Sequence, residues 1–288
     1  MYQILSKEDI ASTISKFVIH APLVARKRKA GNFVIIRVID SGERIPLTIV
    51  DSNQADGTIT LIVQAIGKTT KLLCSKKAGD YLVDVLGPLG NPTPIENHGA
   101  VACVGGGVGT AELYPITKAL KNAGNAIYSI IGGRTKELVI LEQEMRECSD
   151  EVFITTDDGS YGQKGIVTDP LRLLLAQSHF GVKAVYAIGP LPMMKAVSHL
   201  TREFGVKTLV SLNAIMVDGT GMCGGCRVTI DGKMKFACVD GPEFDAHQVD
   251  FDELILRNRS YVDFERLADE RFQKELASTA QGATPFPR

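Results

Sequence analysis

Apolar residues fall along this chain in two rhythms, and the change of rhythm divides it. Over the first third they come as short β-branched runs at residues 17–20, 32–39, 45–50, 58–65 and 81–86. Gly, Asp, Asn and Pro clusters separate the runs, the signature of strands joined by turns. Such spacing predicts an antiparallel barrel or sandwich over residues 1–97. One helix is expected near 69–76, just after Gly67. From about residue 98 the rhythm becomes strand then helix. Apolar strands are expected at 100–104, 125–131, 152–156, 184–188 and 208–212, with helices starting near 110 and spanning 138–147, 168–176 and 191–203. That alternation predicts a parallel sheet with helices on both faces over 98–212. Residues 213–250 are a glycine-rich loop followed by two short strands around Asp231-Gly232, a strong hairpin signal. A mixed-charge amphipathic helix over 261–276 and an extended or frayed end at 282–288 complete the C-terminal segment, 251–288. That helix is read as packing on the body or docking to a partner subunit.

Composition narrows the function classes. The chain has 288 residues, 44% hydrophobic and 23% charged, as in ordinary globular proteins with room for two domains and an appendage. A net charge of −1 leaves no basic footprint for nucleic acid and no polybasic membrane patch. The run Arg26-Lys-Arg-Lys29 reads as a solvated loop. No stretch reaches the roughly 20 apolar residues of a membrane span, and the N-terminus lacks a basic-then-apolar signal pattern. A cytoplasmic protein is expected, and there structural disulfides are rare. Of the six cysteines, Cys103 lies in an apolar run and reads as core, while Cys74 and Cys148 are isolated. The other three share one loop.

That loop is Asp218-Gly-Thr-Gly-Met-Cys223-Gly-Gly-Cys226, closed by Cys238 across the expected hairpin. The spacing D-x4-C-x2-C-x11-C brings soft anionic ligands and a carboxylate together, as iron–sulfur clusters and zinc require. Its glycines let the backbone wrap an inorganic centre. Three occupants are open: a [2Fe–2S] cluster, a zinc ion in a nucleotide-sensing module, or a disulfide.

Upstream, three places in the barrel carry chemistry. Arg44-Ile-Pro46-Leu47-Thr48 offers a guanidinium fork suited to phosphate and a hydroxyl. Gly67-Lys-Thr69-Thr70-Lys71 puts small donors at a helix start. Gly79-Asp and Gly87-Pro-Leu-Gly90 bracket a strand that ends in a tight turn. In the α/β segment, the first strand runs into Gly105, Gly107, Gly109 and Thr110, a phosphate-binding arrangement in which Thr110 stands where the dinucleotide fingerprint has Gly or Ala. No acidic residue ends the second strand; Gly132-Gly-Arg134-Thr stands there instead, which departs from the ordinary Rossmann dehydrogenase. Gly189-Pro190-Leu-Pro-Met193-Met194 follows a later strand, one methionine at least being core filling, and Asp157-Asp-Gly159 makes a turn with a possible ribose contact.

R-x-P-L-T, G-K-T-T-K and G-P-L-G, followed by the glycine loop, G-x-R-T and G-P-x-x-M, resemble the ferredoxin–NADP reductase superfamily. The resemblance implies an FAD-binding β-barrel, an α/β parallel-sheet NAD(P)-binding domain, and here a small [2Fe–2S] loop and hairpin domain. It implies that Arg44 faces the FAD pyrophosphate and that Thr48 approaches the flavin N5, making Thr48 the candidate catalytic residue. Pro46, Leu47, Gly67, Thr69 and Thr70 would contact FAD; Leu47 replaces an aromatic residue common in that superfamily. Gly105, Gly107, Gly109, Thr110, Arg134, Asp157, Gly189, Pro190 and Met193 would contact NAD(H), with NADP(H) the alternative. Ile188 stands where many relatives have Cys.

The C-terminal loop resembles the cluster site of dihydroorotate dehydrogenase electron-transfer subunits, with Asp218 at the first cysteine. One aspartate and three cysteines in this frame are similar to the small subunits of NADH-dependent ferredoxin–NADP oxidoreductases, also described as sulfide dehydrogenases. That implies a [2Fe–2S] cluster on Asp218, Cys223, Cys226 and Cys238, and a heterodimer with a larger flavoprotein and iron–sulfur subunit, with ferredoxin engaged indirectly through it. The order is chemically coherent, because a hydride carries two electrons, a flavin releases them singly and a cluster accepts one at a time.

Overall fold

The structure, a computed structural model, describes residues 1–280; the expectation for 282–288 lies outside them. The N-terminal part is antiparallel throughout. It comprises β1 (Tyr2–Ala11), β2 (Ile14–His20), α1 (Pro22–Lys27), β3 (Phe33–Arg37), β4 (Arg44–Thr48), β5 (Asp51–Asn53), β6 (Thr58–Gln64), α2 (Lys68–Cys74), β7 (Tyr81–Leu82) and β8 (Asp84–Leu89). The strands pair in the orders β5-β6-β2-β1-β7 and β4-β3-β8. In β2, Phe17 and Ile19 turn inward while Lys16 and Val18 turn out, the period-two alternation of a half-covered sheet. The inward faces of both sheets meet over Ile4, Phe17, Val34, Ile36 and Leu61, with Leu73 added from α2.

Two local expectations change here. β1 was not foreseen, since most of it is polar; Ile4 anchors it and β2 pairs with it. The basic run 26–29 is solvated at Arg26, Lys27 and Lys29 but not at Arg28. It ends α1, and Arg28 turns inward to donate to the carbonyls of Ile49 and Val50, both at 2.9 Å. Those carbonyls sit between β4 and β5, where no strand neighbour serves them.

The second part is a parallel sheet. It contains β9 (Ala100–Gly106), α3 (Gly109–Asn122), β10 (Ala126–Gly133), α4 (Glu142–Glu147), β11 (Glu151–Thr156), β12 (Gln163–Lys164), α5 (Thr168–Ala176), β13 (Ala184–Ile188), α6 (Leu191–Glu203) and β14 (Lys207–Ser211). The order is β12-β11-β10-β9-β13-β14, extended at its edge by an antiparallel β17 (Glu243–Asp245). β9 is central and buried along its whole length, which explains its unbroken apolar run. The helix expected over 138–147 shortens to α4 preceded by one 3₁₀ turn at Lys136–Leu138, because Leu141 adopts φ 57° between them. Cys103 and Cys148 are both buried beside this sheet.

β15 (Arg227–Ile230) and β16 (Lys233–Phe236) form the expected hairpin. Asp231 and Gly232 take φ 50° and 67°, the positive values that a tight two-residue turn needs. The hairpin is not a loose appendage. Cys226, Val228, Ala237 and Cys238 share one core with Val210 and Leu212 of the sheet and with Phe33 and Ile35 of the barrel. Then come α7 (Phe251–Asn258) and α8 (Val262–Ala280). α8 lies on α2: Lys71 Nζ meets Asp269 Oδ2 at 2.6 Å, and Phe272 is only 3% exposed. Burying that ring is worth about 2 kcal/mol.

Candidate functional site

A cavity of about 650 Å³ opens at the C-terminal ends of the parallel strands, where such sheets bind nucleotides. Gly106, Gly107 and Gly109 line it after β9, Arg134 after β10, Asp157 after β11, and Gly189, Pro190 and Met193 after β13; Gln64 and Ile66 reach in from the barrel. The glycines are there for close approach. A Cβ on Gly109 would stand 2.6 Å from the Ile188 carbonyl oxygen, and one on Gly106 would stand 2.4 Å from Met193 Sδ. Gly107 has φ 56° and donates its N–H to the Gly132 carbonyl at 2.8 Å. The two methionines divide as their positions require: Met194 is fully buried core, and Met193 faces the cavity.

Gly105 and Thr110, expected among the nucleotide contacts, lie behind the lining of this cavity. Thr110 is fully buried with its Oγ1 unpartnered, and a Cβ on Gly105 would lie 2.8 Å from that oxygen. The pair packs α3 onto β9 and so aims the helix start.

A second cavity, about 1250 Å³, lies between the barrel and the C-terminal loop. Arg44, Pro46, Gly67, Thr69 and Thr70 line it as expected of one site, joined by Cys223 from across the cleft. Arg37, Lys68, Arg227 and Arg257 add positive charge suited to a pyrophosphate. The hydroxyls are less free than the motif implied. Thr70 Oγ1 accepts from Ile66 and Gly67 N–H and donates to the Gly67 carbonyl, so it caps α2. Thr69 donates to Glu43 Oε2 at 2.8 Å. Leu47 does not line this cavity either; it packs on the barrel core. Ile66 borders both cavities, so they adjoin there and form the two arms of one trough-like surface.

Thr48 lies at the end of β4, outside the lining of both cavities, and its hydroxyl bonds the Glu112 carboxyl of α3. Burial pushes the Glu112 carboxyl up to about 7, and the Thr48 hydrogen bond holds back part of that rise. Glu112 lines the first cavity and was missed by sequence reasoning. The one available signal was a single carboxylate in the first turn of an otherwise apolar helix. Also missed were Tyr261, Phe264, Glu265 and Ala268, which wall the second cavity from the C-terminal segment.

In the C-terminal loop, Gly219, Gly221 and Gly224 have φ 72°, 83° and 67° and turn the chain on itself. Cys226 and Cys238 meet with their sulfurs 3.2 Å apart and remain free thiols. Cys238 N–H donates to Cys226 Sγ and Gly225 N–H to Cys223 Sγ, the kind of contact that supports thiolates. Burial, with the neighbouring Cys226, pushes the Cys238 thiol up to about 12, so a bound cation must displace its proton. Asp218 accepts from the backbone N–H of Thr220 and Cys223 at 2.9 and 2.7 Å, and these bonds hold its carboxyl below the usual range. Asp218 therefore shapes the loop around Cys223 whatever else it binds. Among the described residues no three His, Cys, Asp or Glu side chains converge on a single point. The loop presents a sulfur pair and, apart from it, a thiol beside a carboxylate. That donor set, glycine-wrapped and with N–H groups on sulfur, fits a two-iron cluster. Among the described residues no helix is long and apolar enough to cross a membrane.

Comparison with known proteins bears on all three places. The sequence profile of the iron–sulfur cluster binding domain of dihydroorotate dehydrogenase B matches residues 213–250. A homologue of the electron-transfer subunit of dihydroorotate dehydrogenase B (NAD⁺) from Thermotoga maritima is 52% identical, over 94% of this chain and 95% of its own. The electron-transfer subunit of that enzyme from Geobacillus thermodenitrificans is 36% identical, over 85% and 96%. Among solved structures, a chain of the NADH-dependent reduced ferredoxin–NADP oxidoreductase, studied for flavin-based electron bifurcation, superposes with a TM-score of 0.89 at 49% identity, covering 95% of this chain and 98% of that one.

Proposed function

The chain belongs to the family of dihydroorotate dehydrogenase B electron-transfer subunits and their homologues, and from that premise we propose that it carries electrons through the trough to its C-terminal loop. It is an NAD(P)H-dependent flavin and iron–sulfur oxidoreductase subunit, a cytoplasmic protein that works with a larger flavoprotein partner. The reading rests most on continuity: Ile66 joins the two cavities and Cys223 lies on the wall of the second. NAD(H) occupies the first cavity and FAD the second, with the flavin ring towards Thr48. Asp218, Cys223, Cys226 and Cys238 would hold a [2Fe–2S] cluster. A flavin held there would supply the chemistry that links two-electron hydride transfer to one-electron transfer.

The residues of the chain supply position and charge. Gly106 and Gly109 let the nicotinamide approach the strand ends, and Met193 packs beneath it. Arg44 and the neighbouring cations neutralise the pyrophosphate. The Thr48–Glu112 pair presents a hydroxyl and a carboxyl where the reacting rings meet. Similarity to the ferredoxin–NADP oxidoreductase chain over 95% of this sequence, with Asp218 rather than Cys in the loop, favours a bifurcating complex that couples NADH, NADPH and ferredoxin. The Geobacillus relative supports a second reading, delivery to a dihydroorotate dehydrogenase subunit. Anaerobic co-purification with the partner separates them. Reduction of the complex by NADPH but not by dihydroorotate is expected; the reverse selects the second reading. A colourless chain holding zinc and no flavin removes both.

A further inference from the structure

The wider cavity has a wall that the nucleotide-binding motifs do not supply. Tyr261, just ahead of α8, and Phe264, Glu265 and Ala268 on it stand at positions i, i+3, i+4 and i+7, so one helical stripe faces the cavity. Tyr261 and Phe264 are 54% and 71% exposed, large aromatic rings left uncovered at the edge of a charged cleft. The helix that presents them is firmly seated farther along, through Asp269 on Lys71 and through buried Phe272. Lys71 belongs to α2, the helix that Gly67 opens and whose first turn lines the same cavity. α8 thus ties the C-terminal segment to the phosphate cradle.

We propose that Tyr261 and Phe264 receive the adenosine end of FAD, making α8 the element that selects FAD over FMN. This rests on the assignment of the wider cavity to FAD. The argument follows the order of groups along the trough. The flavin ring belongs beside Thr48 and Glu112, and the pyrophosphate belongs among Arg44, Arg37 and Lys68. The remaining group is a purine riboside, which needs π-faces to stack on and an acceptor for ribose hydroxyls. Tyr261 and Phe264 supply the first and Glu265 the second. Asp269 and Phe272 do not line the cavity; they are positioning residues that act by holding the helix.

The test titrates FAD and FMN separately into the deflavinated full-length chain and reads flavin fluorescence. FMN keeps the ring and one phosphate and lacks the adenosine, so it reports every part of the site except the one proposed. Phe264→Ala and Tyr261→Ala are expected to weaken FAD about tenfold each, from the loss of one stacked ring, and to leave FMN unchanged. Asp269→Ala, which removes a side chain with one buried oxygen already unpartnered, is expected to speed FAD release with FMN again unaffected. Equal weakening of FAD and FMN means general loosening of the fold and overturns the proposal. No change in either ligand, as expected if the rings serve a partner surface instead, also overturns it. Arg44→Ala serves as the control for the underlying assignment. If it leaves FAD affinity intact, the cavity is not the flavin site; if it weakens FAD while the α8 variants do not, only the role of α8 falls.

Discussion

The cavity at the strand ends and the C-terminal loop are both rich in glycine, and Gly109 in the one and Gly224 in the other are there for opposite physical reasons. In the cavity, Gly109 has an ordinary backbone conformation, and what forbids a side chain is the Ile188 carbonyl oxygen 2.6 Å from where its Cβ would be. In the loop, Gly224 has room: the nearest atom to its would-be Cβ is the mobile end of the Arg227 side chain at 3.2 Å. What it requires is φ 67°. At Gly109 the constraint is one backbone closing on another; at Gly224 it is the bend of the chain itself. The first site is rigid because it is part of a parallel sheet. The second is rigid because Cys226, Val228, Ala237 and Cys238 are packed into the shared core. Damage should therefore stay within the site it strikes, and the comparison can be broken wherever it does not.

The largest separation should come from Cys238→Ser. Loss of one sulfur of the buried pair is expected to abolish the cluster's visible absorption and its EPR signal, while bound FAD and NADH-dependent flavin reduction persist. Loss of FAD together with the cluster would mean that the two regions are not independent. Next in size is Gly109→Ala. The added methyl meets main chain, which cannot swing aside, so the start of α3 and Glu112 with it must shift. Flavin reduction by NADH is expected to slow ~100-fold in stopped-flow measurements, as for reactive groups displaced by about an ångström, with the cluster signal intact.

These two positions also mark what could be read from the amino-acid sequence. Gly109 and Cys238 belong to short-range patterns, a strand–glycine–helix run and a C-x2-C followed by a D-G hairpin, and local spacing is visible in one dimension. The barrel strands, the strand–helix alternation and the Asp231-Gly232 turn were legible for the same reason. Glu112 was not, because its meaning comes from Thr48, a residue on another domain that only the fold brings beside it. The seat of α8 was hidden likewise: its amphipathic pattern announces a helix but does not say that Lys71 awaits Asp269. Arg28 misled in the other direction, since a basic run looks solvated until two carbonyls elsewhere in the chain prove to lack partners. The burial of Thr110 was hidden too, because the fingerprint gives the residue type and not the direction in which its side chain points.

Glu112→Gln is expected to have a smaller effect, and one that depends on pH. The carboxyl is neutral below about 7 and ionised above it, so the wild-type rate of flavin reduction should change across pH 6–8 by severalfold and that of the variant should not. The sign of the linked stability follows from the raised value. The folded protein holds this proton from roughly pH 4.5, the ordinary range of a glutamate, up to about 7, where the unfolded chain has released it. Its contribution is full at low pH and is lost as pH rises through 7. The variant should thus gain stability over wild type on going from pH 5 to pH 8, on the order of 1–2 kcal/mol after solvent screening. Glu243, buried beside Thr93, is likewise pushed up to about 7 and titrates in the same window. Some pH dependence will therefore survive in denaturation curves; a slope wholly unchanged from wild type would remove Glu112 from this role.

The smallest effect should be that of Gly224→Ala, and it bears most directly on the difference between the two kinds of glycine. The methyl crowds only the flexible end of Arg227, which can give way, so the main penalty is the left-handed backbone, about 1 kcal/mol. For a chain of this size that amounts to a fall of roughly 2–4 °C in the unfolding midpoint, with the cluster assembled and NADH reduction of the flavin unaltered. Asp218 helps here, because its bonds to the N–H groups of Thr220 and Cys223 hold the turn independently of residue 224. If Gly224→Ala instead emptied the cluster site, the loop would depend on close approach just as the cavity does, and the contrast between packing and conformation would be wrong.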